Sequence, residues 1–123
     1  KMKRDFTYID DIVEGVLGCC LKPATVNEQF DPLNPNQASS FSPYRIFNIG
    51  NSQPIELLKF IETLENSFGI KAIKEFHPMQ PGDVQSTAAN TDLLESWINF
   101  RPATSIELGI SKFAKWYIDY YKS

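Results

Sequence analysis

The sequence predicts an α/β domain, α+β in looser usage, with a small, mostly parallel sheet covered by helices. Two observations predict it. Short runs of alternating aromatic or β-branched character at 4–9, 44–49 and 72–76 read as strands, and the segments between them carry apolar residues at helical spacing. Of 123 residues, 42% are hydrophobic and 22% charged, the balance of an ordinary globular domain, so a single domain is expected over 1–123.

The elements follow in order. After the first strand, Asp10 or Asp11 is placed to cap a helix whose Val13, Val16, Leu17 and Cys20 form one apolar stripe. Asp10, Asp11 and Glu14 also suit the positive end of its dipole, a commoner role for such acids than metal binding. Pro23 ends the helix. Residues 24–43 are rich in Pro, Asn, Ser and Gln without periodicity and read as a long surface loop, either a tolerated insertion or a lid or contact segment. A buried strand is expected at 44–49, then a Gly50-Asn51-Ser52 turn.

Pro54 suits the start of a second helix, Leu57, Leu58, Ile61, Leu64 and Phe68 give it a core-facing stripe, and Gly69 supplies a left-handed stop. A third strand at 72–76 leads into a loop at 78–86 held by two prolines and a glycine. A short helix is expected over 90–98 with Leu93, Leu94 and Trp97 on one side. The last helix has a capping-box start at Thr104 and Glu107 and an apolar face of Ile106, Ile110, Phe113, Tyr117 and Tyr120.

Charge and composition narrow the function classes. A net charge of −3 and a pI of about 5.1 provide no basic field for nucleic acid or an acidic membrane surface. No apolar run approaches the roughly 20 residues of a spanning helix. Cys19 and Cys20, adjacent on a helix, suit neither a disulfide framework nor a zinc site, and reduced thiols point to the cytoplasm. His77 is the only histidine, and no serine is placed to make a hydrolytic triad with it. Trp116, Tyr117, Tyr120 and Tyr121 lack interleaved arginines and read as packing or an interface. No catalytic, cofactor-binding or metal-binding residue is assigned.

Three strings carry a more specific signal: Lys3-Arg4-Asp5-Phe6-Thr7-Tyr8-Ile9-Asp10-Asp11, Tyr44-Arg45-Ile46-Phe47-Asn48-Ile49-Gly50-Asn51-Ser52 and Pro78-Met79-Gln80-Pro81-Gly82-Asp83-Val84. In this order, with helices between them, the chain from Lys1 to Tyr121 resembles the C-terminal third of UDP-glucuronate 4-epimerases, which are extended short-chain dehydrogenase/reductase proteins. The resemblance implies a parent enzyme that uses bound NAD to oxidise a sugar C4 hydroxyl, lets the ketone turn, and returns the hydride to its other face. It further implies a cytoplasmic homodimer in polysaccharide biosynthesis.

The six glycines make no G-x-G-x-x-G turn, and no tyrosine precedes a lysine by four positions, so the family's NAD-binding and proton-transfer motifs are not among these residues. The expected part is therefore a substrate-binding lobe, lacking most of the Rossmann domain. It would be inert alone, would partner an N-terminal NAD-binding domain, and would bind the UDP-sugar.

Site residues follow from the same resemblance. Arg4 stands where the family's Arg-Asp-Phe strand contacts the nucleotide diphosphate, a role that suits a planar guanidinium, although Asp5 and Asp83 offer it surface ion pairs instead. Asp83, after Gly82, matches the residue that holds the ribose. Gln80 occupies a position where several relatives carry a phosphate-directed arginine. Asn48 is assigned a structural role, fixing its turn. The chain departs from the family at Gln85, where proline is usual, and at Asn90, where Thr-x-Ala-Asp appears as Thr87-Ala88-Ala89-Asn90. Two alternatives remain: a sugar dehydratase or decarboxylase on the same scaffold, and a stand-alone interaction module presenting Phe6, Tyr8 and the aromatic C-terminal helix.

Overall fold

The structure is a computed structural model and describes residues 2–122. In chain order it contains β1 (Lys3–Arg4), α1 (Ile9–Leu21), β2 (Ile55–Glu56), α2 (Leu57–Phe68), α3 (Asp92–Ile98) and α4 (Ile106–Tyr121). The expected mixture of helices and strands is present. The sheet is smaller than expected and its orientation differs: β1 and β2 pair antiparallel, with Lys3 opposite Glu56 and Arg4 opposite Ile55. The parallel element is a single bridge from Lys3 to Ser86. Side-chain alternation reports which residues share a face, whereas orientation depends on which backbone lies alongside. Residues 44–49 contribute only the Ser39 to Arg45 bridge, and 72–76 form no ladder among the described residues.

Helix α1 runs to Leu21 and stops before Pro23, as expected. Its cap differs: Tyr8 occupies the cap position without a side-chain bond, and Asp10 and Asp11 lie inside the first turn. Asp11 is buried and turns towards the chain leading into α4, accepting the Ala103 N–H (3.2 Å), the Thr104 N–H (3.0 Å) and the Thr104 hydroxyl (2.8 Å). The predicted apolar stripe also faces outward, with Val13, Val16 and Leu17 48%, 54% and 57% exposed. The inner face is instead Asp11, Gly15 and Gly18, at helical spacing. A Cβ on Gly15 would overlap Ile49 Cδ1, and one on Gly18 would lie 2.7 Å from Ile98 Cδ1. Backbone proximity, and not apolar bulk, sets which face of α1 is inside.

Ile55 and Glu56 pair with β1 before α2 begins, so Pro54 precedes a strand and not the helix. The helix ends at Phe68 on the expected left-handed Gly69, with φ 70°. It packs against α4, where Ile110 and Ala114 are buried and Phe68 meets Phe113 and Tyr117 edge-on at 6.4 and 5.6 Å. The cap of α4 is Ser105, whose Oγ accepts the Leu108 N–H at 3.2 Å. Thr104, the expected cap, is engaged by Asp11 instead.

In α3, Leu94 is buried as expected while Leu93 is exposed, and Asn90 Oδ1 accepts the Asp92 N–H at 3.0 Å. Trp97 is clasped to the end of α1: its Nε1–H donates to the Lys22 carbonyl at 3.0 Å, and Lys22 Nζ lies 4.6 Å above its ring. The 24–43 segment is irregular, as predicted, but tied at its base. Asn27 N–H donates to the Ser40 carbonyl (2.8 Å), and Asn27 Nδ2 to Ser39 Oγ (3.0 Å).

Near the end of α2 the buried Glu65 accepts from Lys74, from Lys71 (3.0 Å) and from the Ala72 N–H (3.0 Å). These contacts, Lys74 first, then Lys71 and the amide, draw its carboxyl down from 4.5 to about 2. A carboxylate whose pKa falls on folding stabilises the fold above its unfolded pKa and loses that contribution as pH falls through the folded value. The stability difference between the parent protein and Glu65→Gln is therefore expected to be full above about pH 5 and to shrink between 4.5 and about 2, as read by thermal melts across that window. Asp11→Ala strips three charge-assisted, part-buried bonds from the 103–104 segment and is expected to cost about 3 kcal/mol in urea unfolding.

Candidate functional site

In the extended stretch 3–5, successive side chains point to opposite sides, so Arg4 and Asp5 face different neighbours. Arg4 reaches the loop at 78–86. Its Nη1 donates to the Lys3 carbonyl (2.9 Å) and the Val84 carbonyl (2.8 Å), and Nη2 donates to Asp83 Oδ1 (2.5 Å). A guanidinium has five N–H donors. The Nε–H and one Nη2–H of Arg4 thus remain without a protein partner among the described residues.

Asp83 sits on a tight turn in which its N–H donates to the Gln80 carbonyl at 3.1 Å and Gly82 takes φ 88°. That positive φ is cheap for glycine and strained for other residues. Asp83 Oδ1 also accepts the Val84 N–H at 2.9 Å, leaving Oδ2 without a partner among the described residues. Arg4 and Asp83 together therefore present free donors for an oxyanion and a free carboxylate oxygen for hydroxyls. The sequence-stated site residues lie close together: Arg4 and Asp83 are in contact, and Gln80 is exposed on the same turn. The surface ion pair weighed against a binding role is also present, as the Arg4–Asp83 pair itself. Asn48 is exposed beside a hollow of about 360 Å³ that Asp5, Thr7, Gly50 and 87–89 also line.

Asp5 is the residue that sequence reasoning undervalued, treating it only as an ion-pair option for Arg4. Its Oδ2 accepts the Ser52 N–H (3.0 Å) and the Ala89 N–H (3.1 Å), and Oδ1 accepts the Gln53 N–H (3.4 Å). Ser52, at φ 57°, adds a hydroxyl bond to the Ala89 carbonyl at 2.7 Å. An acid directly after an arginine in an extended run, and so opposite to it in parity, was the available signal. Lys3 completes the seam, donating its N–H to the Gln85 carbonyl (2.9 Å) and accepting from the Thr87 N–H (3.4 Å).

No family model matches the sequence. Among curated proteins, the chain is 46% identical over 121 residues to Protein CapI of Staphylococcus aureus, covering 98% of this chain and 36% of that protein. It is 41% identical over 123 residues to a probable UDP-glucuronate 4-epimerase of Rhizobium meliloti, covering 99% and 36%. Its fold is similar to that of a UDP-glucose 4-epimerase from Bifidobacterium longum, solved with NAD+ and UDP, at a TM-score of 0.71 and 17% identity over 97% of this chain and 31% of that one. The chain spans about a third of the length of the curated relatives it matches and corresponds to their C-terminal part.

The Arg4 and Asp83 side chains are 23% and 36% exposed, and ion pairs in such settings contribute little to folding. Asp83→Asn is accordingly expected to change unfolding free energy by less than about 1 kcal/mol in chemical denaturation.

Proposed function

We propose, from its kinship with the C-terminal part of NAD-dependent nucleotide-sugar epimerases of the extended short-chain dehydrogenase/reductase family, that the chain forms the UDP-binding wall of a UDP-glucuronate 4-epimerase-like enzyme. The observation that carries the reading is the pinned Arg4 guanidinium, with two donors open among the described residues beside the Asp83 carboxylate oxygen that is likewise open among them. In this reading the open N–H donors of Arg4 take a diphosphate oxygen, Asp83 Oδ2 accepts the ribose hydroxyls, and Gln80 adds a neutral amide contact. The role is positioning: a held nucleotide presents its sugar at a fixed place, without a proton transfer by these residues.

NAD supplies hydride chemistry to enzymes of this kind. The residues here do not fit a dinucleotide cradle, since Gly15 and Gly18 are filled by Ile49 and Ile98. The cofactor is assigned to a separate NAD-binding domain of the parent protein. The outward apolar face of α1, with Ile9, Val13, Val16, Leu17 and Leu21 all exposed, is the surface proposed to meet that domain.

In the full-length protein, Arg4→Ala is expected to raise the KM for UDP-glucuronate about 10- to 100-fold, the range of one or two charge-assisted hydrogen bonds, with Arg4→Lys intermediate. Steady-state kinetics on both variants decide it, and an unchanged KM in Arg4→Ala removes Arg4 from the site. The isolated chain is expected to show no epimerisation of UDP-glucuronate by product chromatography and to self-associate in sedimentation, through the α1 face. Turnover by the isolated chain would overturn the lobe reading.

A further inference from the structure

We infer that Asp5 is a positioning residue for nucleotide binding, acting through Arg4; the inference rests on the reading of Arg4 and Asp83 as the nucleotide-binding pair. Three observations carry it. The Asp5 carboxylate gathers N–H groups from two separate segments, Ser52 and Gln53 on one side and Ala89 on the other. Segment 85–89, which Asp5 holds through Ala89, runs directly from the Asp83 turn and is sewn to Lys3 by two backbone bonds. Finally, Arg4 is the immediate neighbour of Asp5 on extended backbone, so the direction of one side chain dictates the opposite direction for the other.

The physical consequence is a parity lock. The ladder beside Arg4 has only the two pairs Lys3 with Glu56 and Arg4 with Ile55, and so short a ladder specifies register weakly. The ionised carboxylate is an acceptor-only group facing three fixed backbone donors, and it cannot leave them without exposing unpaired amides. With Asp5 held inward, Arg4 must project towards 83–84. There the Val84 carbonyl and Asp83 fix its plane and leave Nε–H and one Nη2–H open among the described residues. Asp5 makes no contact with the nucleotide in this arrangement; it sets the orientation in which Arg4 meets it.

The test is isothermal titration of UDP into the full-length protein for the parent, Arg4→Ala, Asp5→Asn and the double variant. Asparagine keeps the size of Asp5 but points an NH2 at one of the backbone donors. Asp5→Asn is expected to weaken UDP about tenfold, and to weaken it less than about twofold once Arg4 is already alanine. A role confined to folding predicts a different pattern: a lowered melting temperature with the same loss of affinity in both backgrounds, or none in either. Either pattern overturns the inference.

If Arg4→Ala itself leaves UDP affinity unchanged, the nucleotide-pair reading fails and takes this inference with it. If Arg4→Ala weakens UDP and Asp5→Asn does not, only the Asp5 assignment fails. Should Asp5→Asn not fold, Ser52→Gly serves. It keeps the N–H to Asp5, suits φ 57°, and removes the hydroxyl bond to the Ala89 carbonyl. A roughly threefold loss of UDP affinity that disappears in the Arg4→Ala background supports the inference, and parent affinity overturns it.

Discussion

Backbone amides without a ladder are the constraint on which the rest of this structure depends. The sheet among the described residues has two strands of two residues each, far too little to satisfy the connecting segments. Amides shielded from water and left unpaired are costly, so other acceptors must serve the part-buried ones. Two aspartates near the start of the chain do so. Asp5 takes the amides of 52, 53 and 89, and Asp11 takes those of 103 and 104 together with the Thr104 hydroxyl. Residues 3–11 thereby act as a spine to which three distant loops are fastened.

The candidate site is a by-product of that fastening. Arg4 lies between the first anchor and the bridge at Lys3, and the loop it meets, 80–84, leads straight into the segment that Asp5 holds. The site's own bonds, by contrast, are exposed and contribute little to folding. Neighbouring residues of opposite facing therefore take different partners: Asp5 the backbone amides of the fold, Arg4 the 83–84 turn, where its ligand role is proposed. Such a division lets the outward side chain keep open hydrogen-bond capacity without a folding penalty, because solvent satisfies what the protein does not.

The same economy of backbone explains α1. Its close approach to Ile49 and Ile98 requires the glycines at 15 and 18, and the buried carboxylate of Asp11 shares their face. The bulky residues Val13, Val16 and Leu17 are consequently displaced to the outside, where they make an exposed apolar surface. The buried core among the described residues sits elsewhere, at Leu94 and between α2 and α4 at Ile110 and Ala114.

The sequence by itself determined what depends on local chemistry: four helices close to their expected spans, the stop at Pro23, the left-handed Gly69, the Gly82 turn, and the kinship carried by three short strings. Those features are set by φ preferences, capping groups and spacing, all properties of near neighbours in the chain. The tertiary structure alone decided the antiparallel pairing of β1 with β2, the outward face of α1, the shift of the α4 cap from Thr104 to Ser105, and the meeting of Arg4 with Asp83. Each of these depends on contacts between residues far apart in sequence. A carboxylate such as Asp5 or Asp11 looks locally like a helix cap or an ion-pair partner, and only the approach of a distant backbone amide reveals which donors it serves.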